Sequence, residues 1–354
     1  MGEKLEGILF NLAAVVIGLV ISASLLLFLG LNPLGVIGKA FAKIVGDGYN
    51  LGEILVKATP LVFTSLAFAF TFQANLFNIG AQGQFSMGAI VAVALSLSLG
   101  GKIPQPLLLV LVAVASFAAG GAVGALIGLV KAKFNANEFL VSMMSTYVVA
   151  ALMDYLLRTS LQETKAEYMQ SDAILPQAYL PTLIPGTRVT WGIVIAVLTA
   201  IAISVLLYKT SLGFRIRAVG FNCDAAELGG IPSGRMYVIS FLIAGGLAGM
   251  SGLTEINGVQ HMLLRNFNAS IGSYGIGIAV LANGNPIGCI FASLLFGFLN
   301  VMGTTMGRLP GVTIPASIIE LIEGVVMTCV IIFAALRYQF QLWSQKRRIR
   351  REVV

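Results

Sequence analysis

The feature that most constrains this chain is a succession of long apolar runs joined by short polar connections. The first run, GILFNLAAVVIGLVISASLLLFLGL at residues 7–31, is longer than the roughly 20 residues that a helix needs to cross a bilayer core. Only 10% of the 354 residues are charged, whereas soluble domains carry about 25%. So few charges cannot cover a surface that faces water, and the sequence therefore predicts an all-α polytopic membrane protein.

Ten runs qualify as membrane spans by length. They are expected at residues 8–31, 53–71, 84–100, 106–130, 138–158, 190–208, 236–255, 271–284, 287–303 and 316–337. The third, eighth and ninth are short and interrupted by polar residues or glycine, which indicates broken or re-entrant helices. The first run is too long for a signal-peptide core, so we expect it to be retained. One transmembrane domain is expected over residues 1–354.

Basic residues set the expected orientation of these spans. The tail at residues 338–354 contains QKRRIRREVV, and the connection at residues 209–235 is also basic, so both are expected in the cytoplasm. The connection at residues 159–189 mixes charges with prolines and is expected outside. Ten spans then place both termini in the cytoplasm. The tail is expected to lie beside anionic membrane lipid, and nothing indicates a nucleic-acid partner.

An uncharged polar stretch, FQANLFNIGAQGQFSMG at residues 72–88, separates two of the spans. Its glycines allow the chain to break, and irregular backbone at membrane depth must be buried in protein or line a wet cavity. Asn75, Asn78, Gln82 and Gln84 can bind a neutral polar solute such as a sugar or a nucleobase without burying a charge. Equally, these amides can satisfy the backbone groups that the break leaves free.

The same pattern returns faintly about 205 residues later. AVLANGNPIGCIFASLLFG, at residues 279–297, again places an asparagine-rich and glycine-rich break between two apolar runs. Broken helices in corresponding halves are typical of transporter repeats. The sequence thus predicts two weakly repeated halves, with Asn283 and Asn285 capping the second break or facing a solute pathway.

A short capped helix is predicted within residues 210–235. Asn222 is a favourable N-cap, Asp224 complements the helix dipole, and Pro232 follows two glycines that stop the helix. The residues assigned to this element are Asn222, Asp224, Ala225, Ala226, Leu228 and Gly229. Such an element is either a docking site for a partner or an ordinary structured loop.

The sequence offers no constellation for catalysis or metal binding. Cys223, Cys289 and Cys329 lack ligand spacing and are expected to be apolar filler. His261, the only histidine, is expected in an outer surface loop without a nucleophile or paired acid. No phosphate-binding loop of the G-x-x-x-x-G-K-[ST] type occurs, so any ATPase must be another subunit. The chain itself is expected to bind no cofactor.

Several charged residues near the predicted spans have simple local explanations. Asp154 and Arg158 are spaced for an ion pair along one helix. Glu138 favours the start of its span, where it complements the helix dipole. Glu320 and Glu323 share one helical face of the last span; dipole stabilisation, contact with an external partner and proton relay all remain open for them.

Two of these motifs together carry a family resemblance. NIGAQGQ resembles the motif Asn-Ile-Gly-Ala-Glu-Gly-Gln of permease subunits in bacterial ABC importers of nucleosides and simple sugars, with Gln82 in place of the glutamate. RAVGFNCDAA, starting at Arg217, resembles the second motif of these permeases. NEFLVSMMSTYVVA, starting at Asn137, and IELIEGVV, at residues 319–326, resemble two of their spans. The resemblance covers residues 50–340 and extends to ribose and branched-chain amino-acid permeases.

The resemblance implies partners and a location. A cytoplasmic ATPase, commonly two fused ATP-binding cassettes, would dock on the Asn222–Gly230 helix and use the ATP and Mg²⁺. A second homologous permease or a copy of this chain would complete the pathway, and an external binding protein or lipoprotein would deliver solute. Asn137 is assigned to the substrate pathway, and gating near the inner mouth is the functional alternative for Glu138 beside it. The chain would belong to the bacterial cytoplasmic membrane.

The first motif points toward purine nucleosides as the solute, imported by alternating access. A simple-sugar permease is the nearest alternative. A carrier that works alone on an ion gradient is a third possibility, because broken helices suit that class as well.

Overall fold

The structure is a computed structural model, and it describes residues 32–163, 168–265, 267 and 270–309, with scattered residues between 16 and 27 and between 318 and 336. In this part the chain forms helices and two isolated β-bridges. The helices are α1 (Pro33–Val45), α2 (Gly48–Phe72), α3 (Ala81–Leu99), α4 (Gln105–Phe134), α5 (Glu138–Arg158), α6 (Gly192–Lys209), α7 (Ser211–Phe221), α8 (Cys223–Leu228), α9 (Ser233–Glu255), α10 (Ile271–Leu281) and α11 (Pro286–Gly307).

The chain divides into two compact units. Residues 52–297 form one unit, and residues 1–51 with 298–354 form the other. The larger unit contains all seven predicted pathway residues and the predicted docking helix. The assignment of residues 1–354 to one domain stays a prediction.

The predicted all-α polytopic membrane fold is confirmed. Seven described helices are long and apolar enough to cross a membrane: α2, α3, α4, α5, α6, α9 with its continuation to Gln260, and α11. Each corresponds to a predicted span. The first predicted span and the last, at residues 316–337, fall largely outside the described residues, as does the basic tail, so the count of ten stays a prediction.

The predicted span at residues 271–284 is a half-length helix. Helix α10 has 11 residues, which at about 1.5 Å per residue gives about 16 Å, roughly half of a bilayer core. The next helix, α11, then runs for 22 residues without interruption. The break therefore lies between α10 and α11, and the ninth span, predicted to be short and interrupted, is a full-length helix.

Helices α4 and α9 approach so closely that their contact requires glycine. A Cβ atom at Gly124 would lie 2.0 Å from the Phe241 carbonyl oxygen, and one at Gly120 would lie 2.3 Å from the Gly245 oxygen. Helix α3 joins the same contact, because a Cβ at Gly88 would lie 2.3 Å from the Gly249 oxygen. Packing of small residues replaces the hydrophobic effect where the surroundings are already apolar. This three-helix contact fixes the start of α3, which carries Gln82 and Gln84.

Helix α1 lies outside every predicted span. Asn32 caps α1 by accepting a hydrogen bond from the Gly35 amide at 3.3 Å. Val36, Ala40 and Ile44 recur at helical spacing on its buried face. Its 13 residues are too few for a helix that crosses a membrane, so a search for apolar runs of about 20 residues does not detect it.

The connections before and after α6 lie at opposite ends of that helix, as the predicted topology requires. The connection before it, at residues 159–189, packs onto the segment that follows α9. The Ser171 amide donates to the Leu263 oxygen at 2.9 Å, the Ile174 amide to the His261 oxygen at 2.8 Å, and the Leu180 amide to the Asn257 oxygen at 2.8 Å.

Candidate functional site

The first helix break, between α2 and α3, is an ordered turn built on Asn75. The Asn75 backbone is left-handed, with φ of 56°. Its amide donates to the Phe72 oxygen at 3.0 Å, and the Leu76 amide donates to the Thr71 oxygen at 3.1 Å. This pair of bonds is the Schellman motif that ends many helices, with asparagine in the position that tolerates a left-handed backbone. The predicted break therefore exists, and its backbone groups are largely satisfied locally.

Asn78 and Gln84, two predicted pathway amides, are paired with each other. The Asn78 Nδ2 donates to Gln84 Oε1 at 2.9 Å, and the Gln84 Nε2 donates to Asn78 Oδ1 at 3.2 Å. Both side chains are fully buried. Because each amide satisfies the other, the pair closes the loop of the break onto the first turn of α3 and presents no free group to a solute.

Gln82 bonds to the start of α10. Its Oε1 accepts a hydrogen bond from the Gly272 amide at 2.8 Å. The first amides of a helix lack partners within the helix, so Gln82 caps α10 from a distant point of the chain. The backbones of the two segments also touch there, since a Cβ atom at Gly272 would lie 2.5 Å from the backbone nitrogen of Gln82. A neutral amide supplies the needed acceptor without a charge.

The second break, between α10 and α11, repeats the geometry of the first. Asn283 is left-handed, with φ of 52°. Its amide donates to the Val280 oxygen at 3.0 Å, and the Gly284 amide donates to the Ala279 oxygen at 2.9 Å, which again forms a Schellman motif. Asn285 Oδ1 caps α11 by accepting from the Ile287 amide at 2.9 Å. The faint repeat in the sequence is thus a repeated way of ending a helix.

Aromatic rings surround the first break. The Phe68 and Phe72 rings stack with centroids 6.0 Å apart, and the Phe77 ring meets both edge-on. Phe72 and Phe77 are 41% and 42% exposed. Asn75 and Asn283 are also exposed. We refer to Phe72, Asn75, Phe77 and Asn283 as the aromatic–amide patch; sequence reasoning missed its two phenylalanines, although the spacing of Phe68 and Phe72 placed them on one helical face.

Asn137 serves as a helix cap. Its Oδ1 accepts from the Phe139 amide at 2.9 Å at the start of α5. Glu138 lies in the first turn, as expected, and also pairs with Lys131 of α4 at 3.1 Å. The cap and the ion pair together fix the short connection between α4 and α5.

The connection at residues 209–235 contains two helices, of which only the second was predicted. Asn222 caps α8 by accepting from the Ala225 amide at 3.0 Å, and Asp224 lies in its first turn. Gly230, with φ of 81°, follows the end of α8 as expected of a glycine stop. Because the predicted element began at Asn222, it omitted α7, the 11-residue helix before it.

Helix α8 buries one of its apolar residues and exposes another. Ala226 is 6% exposed and points into the protein, whereas Leu228 is 92% exposed and Phe221 at the end of α7 is 88% exposed. Two bonds hold α8 against α9: Ser233 Oγ donates to Glu227 Oε1, and the Tyr237 hydroxyl donates to Cys223 Sγ at 3.2 Å. The loop therefore presents Phe221 and Leu228 on a fixed support.

A basic cavity opens beside this helix. Its volume is about 790 Å³, and Arg215 of α7 and Arg235 of α9 both line it. The lining contains no carboxylate. We refer to Phe221, Leu228 and this cavity as the loop surface. It combines exposed apolar side chains with positive charge.

Two sequence expectations are corrected at the end of the larger unit opposite to the loop surface. Asp154 pairs with Arg265 from the segment after α9, at 2.9 Å, rather than with Arg158; the fold brings a distant cation closer than the neighbour four residues away. His261 is half-buried and stacks on Tyr179, with ring centroids 3.7 Å apart, instead of lying on an open loop. Burial, with a smaller effect from Arg188, lowers the pKa of His261.

The remaining expectations concern acids and metals. Glu320 and Glu323 lie outside the described residues. In the part of the chain that the structure covers, no cluster of three or more His, Cys, Asp or Glu side chains is placed to hold a metal ion.

Residues 50–335 match the family described as the permease component of branched-chain amino-acid transport systems. This chain belongs to that family. The match spans every described helix from α2 to α11, so both breaks and the loop surface lie within the matched residues.

The chain is also similar to permeases of several ABC transporters. It is 29% identical to the nucleoside ABC transporter permease protein NupB of Lactococcus lactis, over 98% of this chain and 96% of the relative. It is 29% identical to the guanosine ABC transporter permease protein NupP of Bacillus subtilis, over 96% and 97%. It is 33% identical to the glucose ABC transporter permease protein TsgB13 of Haloferax volcanii, over 88% and 84%.

The family and the fold agree on the class of protein. The chain is an integral membrane permease of the ABC transporter type and thus a transport subunit. The resemblance read from NIGAQGQ and RAVGFNCDAA is confirmed.

Proposed function

We propose that this permease imports nucleosides across the bacterial cytoplasmic membrane, with purine nucleosides favoured. The aromatic–amide patch carries this proposal. Asn75 and Asn283 are exposed, so their side-chain amides are open to water, a solute or another chain. Phe72 and Phe77 offer ring faces on which a nucleobase can stack, and the two amides offer uncharged donors and acceptors. The similarity to nucleoside permeases of near-equal length supports the same substrate class.

Alternating access requires an energy source, and we propose that a separate ATPase docks on the loop surface. Leu228 and Phe221 are the exposed apolar side chains that such a contact would cover, and Arg215 and Arg235 would receive acidic side chains of the ATPase. ATP and Mg²⁺ belong to that subunit, which we expect to carry two fused cassettes. We expect the loop surface to face the cytoplasm, with both chain termini on the same side of the membrane.

The other partners follow from the same proposal. A binding protein or lipoprotein delivers solute at the end that carries residues 159–189. A second homologous permease, or a copy of this chain, covers the aromatic–amide patch and encloses the pathway. Of the seven predicted pathway amides, Asn75 and Asn283 remain candidates for solute contact, because the other five bond to backbone or to each other.

Reconstitution tests the proposal. The permease is placed in liposomes with its ATPase and binding protein, and uptake of labelled guanosine is measured. ATP-dependent uptake that adenosine competes for, but ribose and glucose do not, is the expected result. Competition by glucose would favour the sugar alternative, which the similarity to a glucose permease supports. Uptake that ignores ATP and follows an ion gradient would reject the ABC mechanism.

Two phenylalanine variants test the patch. Phe77→Ala removes a stacking face, worth about 1–3 kcal/mol per base, so half-saturation for guanosine should rise by about 5-fold or more. Phe291→Ala is the control for loss of an exposed ring, because Phe291 is 69% exposed on α11 and lies outside the aromatic–amide patch. Equal effects of the two substitutions would remove the patch from the pathway.

One loop substitution tests the docking site. Ala225 is exposed on α8, so Ala225→Glu introduces a negative charge without disturbing the fold. We expect lower substrate-stimulated ATP hydrolysis in the reconstituted complex. Normal stimulation would reject docking on α8.

A further inference from the structure

The two helix breaks, 208 residues apart in sequence, touch each other through one side chain. The Gln73 Nε2 donates a hydrogen bond to the Gly284 oxygen at 3.0 Å. Gln73 lies within the first Schellman motif, whose bonds span residues 71–76, and Gly284 belongs to the second. This bond therefore ties the end of α2 to the end of α10.

The acceptor side of this contact is fixed in place. Gly284 has φ of 66°, a conformation that residues with side chains rarely adopt. A Cβ there would lie 3.2 Å from both Gln73 Nε2 and Phe72 Cδ1. Gly284 is buried, so its carbonyl meets Gln73 without water between them.

Gln73 also touches the loop that contains α7. A Cβ atom at Gly220 would lie 2.1 Å from the Gln73 carbonyl oxygen and 3.0 Å from the Ala74 Cα. The contact is thus backbone against backbone. No flexible side chain lies between them, so a displacement of α7 toward α2 would press directly on the backbone at the end of α2.

The loop surface lies directly beyond this contact. Gly220 is two residues before Asn222, which caps α8, and one residue before the exposed Phe221. A single chain of contacts therefore runs from the loop surface through Gly220 to Gln73, and from Gln73 to both breaks. The aromatic–amide patch has members in each break.

We infer that Gln73 is the positioning residue through which movement of the loop reaches both breaks at once. A displacement of the loop acts on the Gln73 backbone through Gly220. The hydrogen bond from the Gln73 side chain then transmits this displacement to Gly284. Gln73 does not need to touch the solute for this role. The inference rests on the proposed ATP-driven function, and contact alone does not establish coupling, so the test must measure coupling itself.

The test compares two glutamines that make the same kind of bond at opposite ends of the larger unit. Gln73→Met removes the amide and keeps the length of the side chain. Gln105→Met is the matched control, because Gln105 Nε2 donates to the Tyr179 oxygen at 2.9 Å near the other end. ATP hydrolysed and guanosine transported are measured in the same proteoliposomes containing the full complex.

We expect Gln73→Met to keep most of the ATP hydrolysis and to lower uptake, so that ATP used per guanosine rises by about 3-fold or more, the size expected for loss of one hydrogen bond. Gln105→Met should leave this ratio unchanged. Gly220→Ala, which pushes α7 from the first break, should raise the ratio as well and serves where Gln73→Met does not fold.

Two results would overturn the inference: an unchanged ratio in Gln73→Met and Gly220→Ala, including one in which hydrolysis and uptake fall in proportion, or equal shifts in Gln73→Met and Gln105→Met. Each would mean that Gln73 supports the fold alone. Failure of the proposed function is distinct, because the wild-type complex would then show no ATP-driven guanosine uptake.

Discussion

Replacing Asn78 by leucine and Gln84 by methionine, singly and together, decides whether these amides serve the fold or the solute. Each substitution keeps the approximate shape of the side chain. In the single variants the remaining amide is buried with both its N–H₂ and its C=O unpaired, because its partner is the other amide. In the double variant neither amide remains.

The expected changes in the free energy of unfolding follow from the number of polar groups left unpaired. An unsatisfied buried polar group costs about 1–3 kcal/mol, so two such groups lower the free energy of unfolding by about 2–6 kcal/mol in each single variant. The double variant replaces a satisfied polar pair by an apolar pair of similar volume and should cost less than about 1.5 kcal/mol. The double variant is therefore expected to be more stable than either single variant.

Unfolding by SDS in mixed micelles measures these free energies as a double-mutant cycle. Half-saturation for guanosine in proteoliposomes is measured beside it and should be unchanged in the double variant. Single variants as stable as the wild type, or a double variant that costs the sum of the singles, would refute the pairing argument. A large loss of guanosine affinity in a stable double variant would return both amides to the pathway.

Three other outcomes are expected. Gly124→Ala should lower the free energy of unfolding by about 1–3 kcal/mol, because the new Cβ meets the Phe241 oxygen at 2.0 Å; SDS unfolding measures it. Gln82→Met should destabilise the start of α10 and raise amide exchange at Gly272, whereas Gln82→Glu, which keeps an acceptor, should not. Because the pKa of His261 is lower in the folded protein than in the unfolded chain, the imidazole takes up a proton at a higher pH when the chain is unfolded. The melting temperature should therefore fall as the pH drops below about 6.5. His261→Phe should remove this part of the pH dependence.

Much of the larger unit was predictable because its determinants are local. The length of an apolar run decides whether a helix can cross a membrane, and seven predicted spans appear as helices. Asn222 and Asn285 cap helices through bonds to amides two or three residues away, so a sequence pattern suffices to find them. The breaks were visible for the same reason, since asparagine and glycine tolerate the left-handed backbone that ends a helix.

The roles of the amides were not predictable, because their partners lie elsewhere in the chain. Gln82 bonds to Gly272 and Gln73 to Gly284, across about 200 residues in each case. Asp154 likewise forms its ion pair with Arg265 rather than with Arg158. Sequence spacing ranks neighbours on one helix, but it does not tell which helices meet.

The sequence by itself determined that the chain lies in a membrane, which runs span it and where both helix breaks lie. The length of an apolar run and the residues that end a helix act within a few helical turns, so they can be recognised from the sequence. The tertiary structure decided which polar groups are satisfied, because close packing of α4, α9 and α3 through glycine brings distant backbones within bonding distance. It thereby separated the amides that hold the breaks from Asn75 and Asn283, which stay exposed, and it placed Gln73 where the two breaks and the loop meet.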